Sequence, residues 1–258
     1  MKLLAIGNSF SDDSTAYLYP VLKALGAEDI SLGNLYIGGC PIQLHVDNIR
    51  NDAPAYEYRT NTANKWETTL DYKLKDAVCS QNWEIVSMQQ ASRDSGMQES
   101  YAPLSELIAF VRENVQKGVK LAWNMTWAYQ QDTTHDGFVN YNRDQKTMYY
   151  AILNAVKDCV LPREEFALLF PVGTAVQNAR TSYLGDTLTC DGFHLSVPYG
   201  RYIAALTWGR VLTGKSVENI DYAPEGVDEK LKAIAIESVE NAIKAPFEIT
   251  QSKFTVKE

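Results

Sequence analysis

Histidine is scarce in this chain: His45, His135 and His194 are the only three among 258 residues. Any imidazole chemistry therefore has few possible carriers. The four cysteines, Cys40, Cys79, Cys159 and Cys190, show no CxxC spacing and no adjacent histidine, so they do not read as a zinc site and are expected to be buried free thiols. No run approaches the roughly 18 apolar residues needed to span a bilayer, which argues against a membrane protein. Basic residues are in deficit: 24 Lys and Arg against 32 Asp and Glu give a net charge of −8. Without a local basic patch, nucleic acid would be repelled. No Pro/Gly/Ser-rich linker, charge block or internal repeat divides the chain, so a single domain over residues 1–258 is expected. No signal-peptide pattern opens it, which predicts a cytoplasmic protein, or a periplasmic or secreted one if a leader preceded Met1.

What is present is an alternation of strand-like and helix-like segments. Apolar runs at 2–6, 30–37, 84–88, 119–125 and 166–172 read as buried strands. Helical periodicity occupies 15–25, 70–79, 104–116, 140–158, 196–212 and 228–244, and Gly26, Gly118 and Gly214 follow three of these stretches. Such alternation predicts an α/β fold with a parallel sheet. A polar and aromatic insertion at 47–69 exceeds an ordinary connection. Within it, Tyr56-Glu57-Tyr58-Arg59 and Lys65-Trp66-Glu67 flank an Asn-Thr-Ala-Asn turn as a hairpin would, and the segment is a candidate lid or binding loop.

Two motifs carry the chemistry. The first strand breaks into Gly7-Asn8-Ser9-Phe10-Ser11-Asp12-Asp13, placing Ser9 at the carboxyl end of a strand, where ligands of open α/β sheets collect. Taken alone, Asn8, Ser9 and Ser11 read equally as helix caps. Near the other end stands Asp191-Gly192-Phe193-His194. A serine hydroxyl needs an imidazole to take its proton, and the imidazole works best when a carboxylate orients it, so one short loop can supply both. Asp191 can also simply start the helix that follows.

The pairing of a strand–Gly-Asn-Ser elbow with a later Asp-x-x-His resembles the SGNH/GDSL hydrolases, most closely a little-characterised bacterial branch with a Gly-Asn-Ser-Phe elbow. The resemblance implies a flavodoxin-like three-layer α/β/α sandwich around a five-stranded parallel sheet of order 2-1-3-4-5. It also implies a carboxylic ester hydrolase in which Ser9 is the nucleophile, His194 the general base and Asp191 its orienting partner. Three oxyanion donors are implied: the Ser9 N–H, a glycine N–H at Gly39 or Gly38, and a carboxamide after the third strand. The family has asparagine at the last position, whereas this chain has Gln89-Gln90, of which Gln90 is the first choice and Gln89 the second.

Asn8, Gln89, Trp127 and Tyr129 complete the expected substrate contacts, the two aromatic rings facing the pocket as they would toward a sugar. His135 reads as a solvated loop residue and His45 as a surface helix position near the glycines, while Arg93 and Asp94 either pair with each other or steer an acidic sugar. The expected substrate is a small-molecule or glycan ester with a short acyl group such as acetyl. Serine and histidine supply the covalent chemistry themselves, so no metal or organic cofactor is called for. Two other readings stand beside this one: a catalytically silent carbohydrate binder on the same fold, and a phosphoryl-transfer module holding Mg²⁺ on Asp12 and Asp13.

Overall fold

Leu3, Leu4, Ala5 and Ile6 are each no more than 1% exposed, and a strand without a solvent face belongs inside a sheet covered on both sides. The computed structural model describes residues 1–256 and contains seven strands. In chain order they are β1 (Lys2–Gly7), β2 (Ser31–Tyr36), β3 (Tyr56–Asn61), β4 (Trp66–Tyr72), β5 (Ile85–Met88), β6 (Lys120–Asn124) and β7 (Phe166–Phe170). They form one sheet of order β4-β3-β2-β1-β5-β6-β7, with β1 at its centre. β2, β1, β5, β6 and β7 are mutually parallel, and β3 and β4 are antiparallel to their neighbours.

The expected five-stranded parallel sheet of order 2-1-3-4-5 is thus corrected to a seven-stranded mixed one. The difference comes from the 47–69 segment, which is not a lid. It contributes a hairpin that extends the sheet beyond β2, with Tyr56 and Tyr58 buried and Tyr58 stacked on Tyr72 at 4.6 Å. Arg59 anchors it: its guanidinium lies 3.8 Å over the Tyr36 ring and 2.6 Å from Asp12. Arginine suits this double role because it is planar and always charged.

The helices are α1 (Ser9–Thr15), α2 (Leu18–Ala24), α3 (Ile42–Arg50), α4 (Leu74–Cys79), α5 (Leu104–Asn114), α6 (Gln145–Cys159), α7 (Val172–Ala179), α8 (Tyr199–Thr213) and α9 (Glu229–Lys244). α1, α2, α7, α8 and α9 pack together in one group, and α3, α4 and α5 in another. The expected helix at 15–25 begins earlier and is broken in two, so that α1 starts on Ser9 itself. The expected helix at 70–79 begins only at Leu74, because the residues to Tyr72 are still strand. α7 was not foreseen, and of α3 only a helical position at His45 was; every residue of α7 is buried, so its apolar start reads as a strand running to 172. α8 is buried over most of its circumference and its pattern lacks a polar face. Among the described residues, no helix is long and apolar enough to cross a membrane.

Candidate active site

Gly7 ends β1, and Asn8 adopts an extended backbone whose side-chain Oδ1 accepts the Phe10 N–H at 3.0 Å. This cap turns the chain sharply into α1 and leaves Ser9 as its first residue, partly exposed. Among the described residues, the Ser9 hydroxyl has no hydrogen-bond partner. Asn8, in contrast, is fully engaged. Its Nδ2 donates to the Cys40 carbonyl at 3.1 Å, and its Oδ1 also accepts from Gln89 Nε2 at 2.8 Å. Gln89 Oε1 accepts from Asn124 at 2.9 Å, and Asn124 accepts the Trp208 indole N–H at 3.1 Å. This buried chain of amides ties the ends of β1, β5 and β6 to the loop that follows β2. In a low-dielectric interior each member keeps its place because leaving a partner unsatisfied is costly.

Asp191 and His194, the expected orienting pair, lie in a tight loop between α7 and α8. His194 Nδ1 meets Asp191 Oδ2 at 2.6 Å, and Asp191 Oδ1 accepts the backbone N–H groups of His194 at 2.8 Å and Phe193 at 3.1 Å. Partial burial would raise the Asp191 pKa, but these donors together hold its carboxyl below the usual range. It stays ionised and fixes the imidazole with Nε2 turned away from it. Gly192 is required in the loop: its φ is +91°, and an added Cβ would come within 2.5 Å of Thr133 Oγ1.

Two links join elbow and base. Asp13 of α1, with its side chain only 2% exposed, accepts the Leu195 N–H at 2.7 Å and pairs with Arg201 at 2.8 Å. Trp127 stacks face to face on Phe10 at 4.0 Å and donates its indole N–H to the Phe193 carbonyl at 2.7 Å. The Phe10 and His194 rings stand 6.1 Å apart. The residues beside Ser9 thus touch those around His194, although no hydrogen bond closes between Ser9 Oγ and His194. In uncomplexed active sites such bonds are often open and tighten with substrate.

Desolvation raises the Asp13 pKa to about 6 against the opposing pull of Arg201, the Leu195 N–H and His194. With the folded value above the unfolded one, this group's contribution to stability is full below about pH 4 and is lost as pH rises through 6. Asp13→Asn is expected to flatten that slope. The fall in unfolding free energy between pH 4 and 7, measured in urea, should shrink by about 3 kcal/mol, since a pKa unit is about 1.4 kcal/mol. An unchanged slope would show that Asp13 is not its source.

The remaining candidates divide sharply. Gly39 is exposed with φ +63°, in the loop that Asn8 holds, and its N–H has no acceptor among the described residues. Gln90 is corrected: it is 1% exposed, its Oε1 accepts from Ile42 and Ala91, and its Nε2 donates to the Ser100 carbonyl and hydroxyl. Both ends are committed away from Ser9. Asn8 and Gln89 are buried supports of the elbow, not substrate contacts. Trp127 and Tyr129 are each 0% exposed and cannot stack on a sugar; Tyr129 pairs instead with Ser92 at 2.7 Å.

The other two histidines differ from expectation. His45 is not on the surface but buried in α3, its Nδ1 2.9 Å from the Tyr56 hydroxyl, and burial lowers its pKa to about 4. His135 was missed as a neighbour of the base: its ring lies 4.7 Å from Phe193, which lies 4.2 Å from His194. Nothing in the polar run around His135 announces this, because the contact is made by a distant loop. All four cysteines are free, but only Cys40 is buried; Cys79 and Cys190 are exposed. The Mg²⁺ reading loses its ligands, since Asp12 faces Arg59 and Asp13 faces Arg201. Among the described residues no cluster of three or more His, Cys, Asp or Glu side chains could hold a metal.

Comparison with known proteins places this geometry in context. No curated protein matches the sequence. A crystal structure of a DUF4886 family protein from Bacteroides uniformis has 42% identity and a TM-score of 0.94, with 97% of each chain covered. A variant of an acetyl-xylooligosaccharide esterase from Geobacillus stearothermophilus has 16% identity and a TM-score of 0.51, over 86% of this chain and 97% of that one. A putative SGNH hydrolase from Slackia heliotrinireducens has 21% identity and a TM-score of 0.49, over 82% and 98%. The fold is therefore similar, at 16% identity, to that of the acetyl-xylooligosaccharide esterase. The family model described as "Domain of unknown function (DUF4886)" matches residues 2–242, and the chain belongs to that family.

Proposed function

We propose that this protein is a serine ester hydrolase that removes a small acyl group, such as acetyl, from a carbohydrate or related small molecule. The observation that carries the reading is the Asp191–His194 pair, closed at 2.6 Å and docked through Leu195 onto the helix that Ser9 begins. The fold it shares with an acetyl-xylooligosaccharide esterase is one on which another protein performs this chemistry.

In the first step His194 Nε2 takes the Ser9 proton as Oγ attacks the ester carbonyl. The N–H groups of Ser9 and Gly39 receive the developing oxyanion, Ser9 because it is the first residue of α1 and has no carbonyl behind it. The imidazolium, held by Asp191, then protonates the leaving alcohol. Water, deprotonated by the same ring, attacks the acyl-enzyme and releases the acid. Every proton moves through His194, and the chain's own side chains suffice.

A fluorophosphonate probe and a panel of p-nitrophenyl acetate, butyrate and octanoate beside acetylated sugars test the proposal. Labelling at Ser9 and turnover favouring acetate are expected. Absence of both, with the protein folded, would leave the silent carbohydrate binder as the better reading. The burial of Trp127 and Tyr129 removes the two rings expected to face a sugar from either reading, so the acetylated sugars in the panel carry the test of the carbohydrate assignment.

A further inference from the structure

Arg93 and His135 have no role in the reaction steps; both pack on Gly137, and His135 also touches Phe193, the neighbour of His194. Arg93 lies in the turn after β5, at the end of the sheet that carries Ser9. Its backbone is fixed, the carbonyl accepting from the Tyr141 hydroxyl at 2.9 Å and from Asn140 at 3.2 Å. Its stem is packed so closely on Gly137 that a Cβ there would come within 2.4 Å of the Arg93 Cβ. The side chain is nevertheless 57% exposed, and among the described residues its one acidic partner is Asp94, 3.4 Å from Nε. Both Nη groups are uncommitted among the described residues.

His135 is held from the same side. Its Nδ1 accepts the Gly137 N–H at 3.0 Å, so in the neutral ring the proton sits on Nε2, which becomes a donor. Burial, helped by the charges of Arg93 and His194 against those of Asp136 and Asp191, keeps the ring neutral more readily than a free histidine. The Phe193 ring contacts both histidines, its centroid 4.7 Å from that of His135 and 4.2 Å from that of His194. The nearby carboxylates leave the outer guanidinium edge open: Asp191 is occupied by His194, and Asp94 reaches only Nε.

We propose that the alcohol portion of the ester carries a carboxylate, as a uronic or other acidic sugar does, and that Arg93 and His135 hold it. The inference rests on the esterase reading. A guanidinium with both Nη groups free offers the fork that matches a carboxylate, and an N–H donor beside it fixes the orientation. A neutral sugar would leave that fork unpaired.

The test compares kcat/KM for an O-acetylated methyl glycosiduronate with that for its neutral methyl glycoside counterpart, p-nitrophenyl acetate serving as the activity control. The wild type is expected to favour the acidic sugar by about tenfold to a hundredfold, the range for a charge-assisted hydrogen bond. Arg93→Gln should erase most of that ratio, chiefly through KM. Arg93→Lys should restore part of it, His135→Gln should lower it by less, and added salt should erode it. If all esters are cleaved but the ratio is near one, or is unmoved by Arg93→Gln, the carboxylate assignment is overturned while the esterase reading stands. If no ester is cleaved at all, both fall together.

Discussion

Ser9→Ala is expected to lower kcat/KM for p-nitrophenyl acetate by about 10⁴-fold or more, the scale on which serine hydrolases lose activity without a triad member. It should also abolish fluorophosphonate labelling. The physical reason is that the group proposed to bond to the acyl carbon is gone, so only the oxyanion donors and binding remain. The fold should not notice. Ser9 Oγ has no partner among the described residues, and the Asn8 cap that starts α1 is untouched. Urea unfolding should therefore shift by no more than about 0.5 kcal/mol, as for a surface substitution. This separation of activity from stability is the informative part: loss of both would indicate a structural serine, and retention of activity would remove Ser9 from the mechanism.

Trp127→Ala should do the reverse, with stability lost first. The indole is fully buried, stacked on Phe10 and bonded to the Phe193 carbonyl, so it braces the residue after the nucleophile and the residue before the base. Truncating so large a buried ring costs about 3–5 kcal/mol, part of it from the cavity left behind. Activity per folded molecule should fall as well, because geometry at the reacting centre tolerates little displacement. Trp127→Phe supplies the control: it retains a ring against Phe10 and loses the indole N–H, at about 1–3 kcal/mol for an orphaned acceptor. If Trp127→Ala is too unstable to assay, the phenylalanine variant still reports on the Phe193 link. A truncation that leaves stability unchanged would contradict the packing described above.

The elements that could be read from the sequence are those whose signals are local. The buried run before Gly7, the capped turn at Asn8 and the Asp-x-x-His loop each lie within a dozen residues, and all are where the pattern puts them. Side-chain roles set by distant partners were not legible. Gln89 and Gln90 are neighbours with the same chemistry, yet alternation along the strand end sends one toward Asn8 and the other toward Ser100. Trp127 and Tyr129 look like exposed sugar platforms only until the loop carrying Phe193 closes over them. The hairpin was visible as a hairpin, but its docking on β2 depends on Arg59 reaching Asp12 and Tyr36, which no window of sequence contains. His135 failed for the same reason. α7, buried on every side, carries no periodicity that distinguishes a helix from a strand.

The bond from Leu195 to Asp13 spans 182 positions of the chain. During synthesis the first strand and its serine leave the ribosome long before the loop proposed to activate it exists, so a growing polypeptide would carry an inert hydroxyl. On the proposed mechanism, hydrolytic competence would arrive late and in one event, when translation has passed the aspartate–histidine loop and that long closure is made. Under the proposed mechanism, a chain ending before residue 191 would lack the aspartate–histidine pair and be a silent fragment.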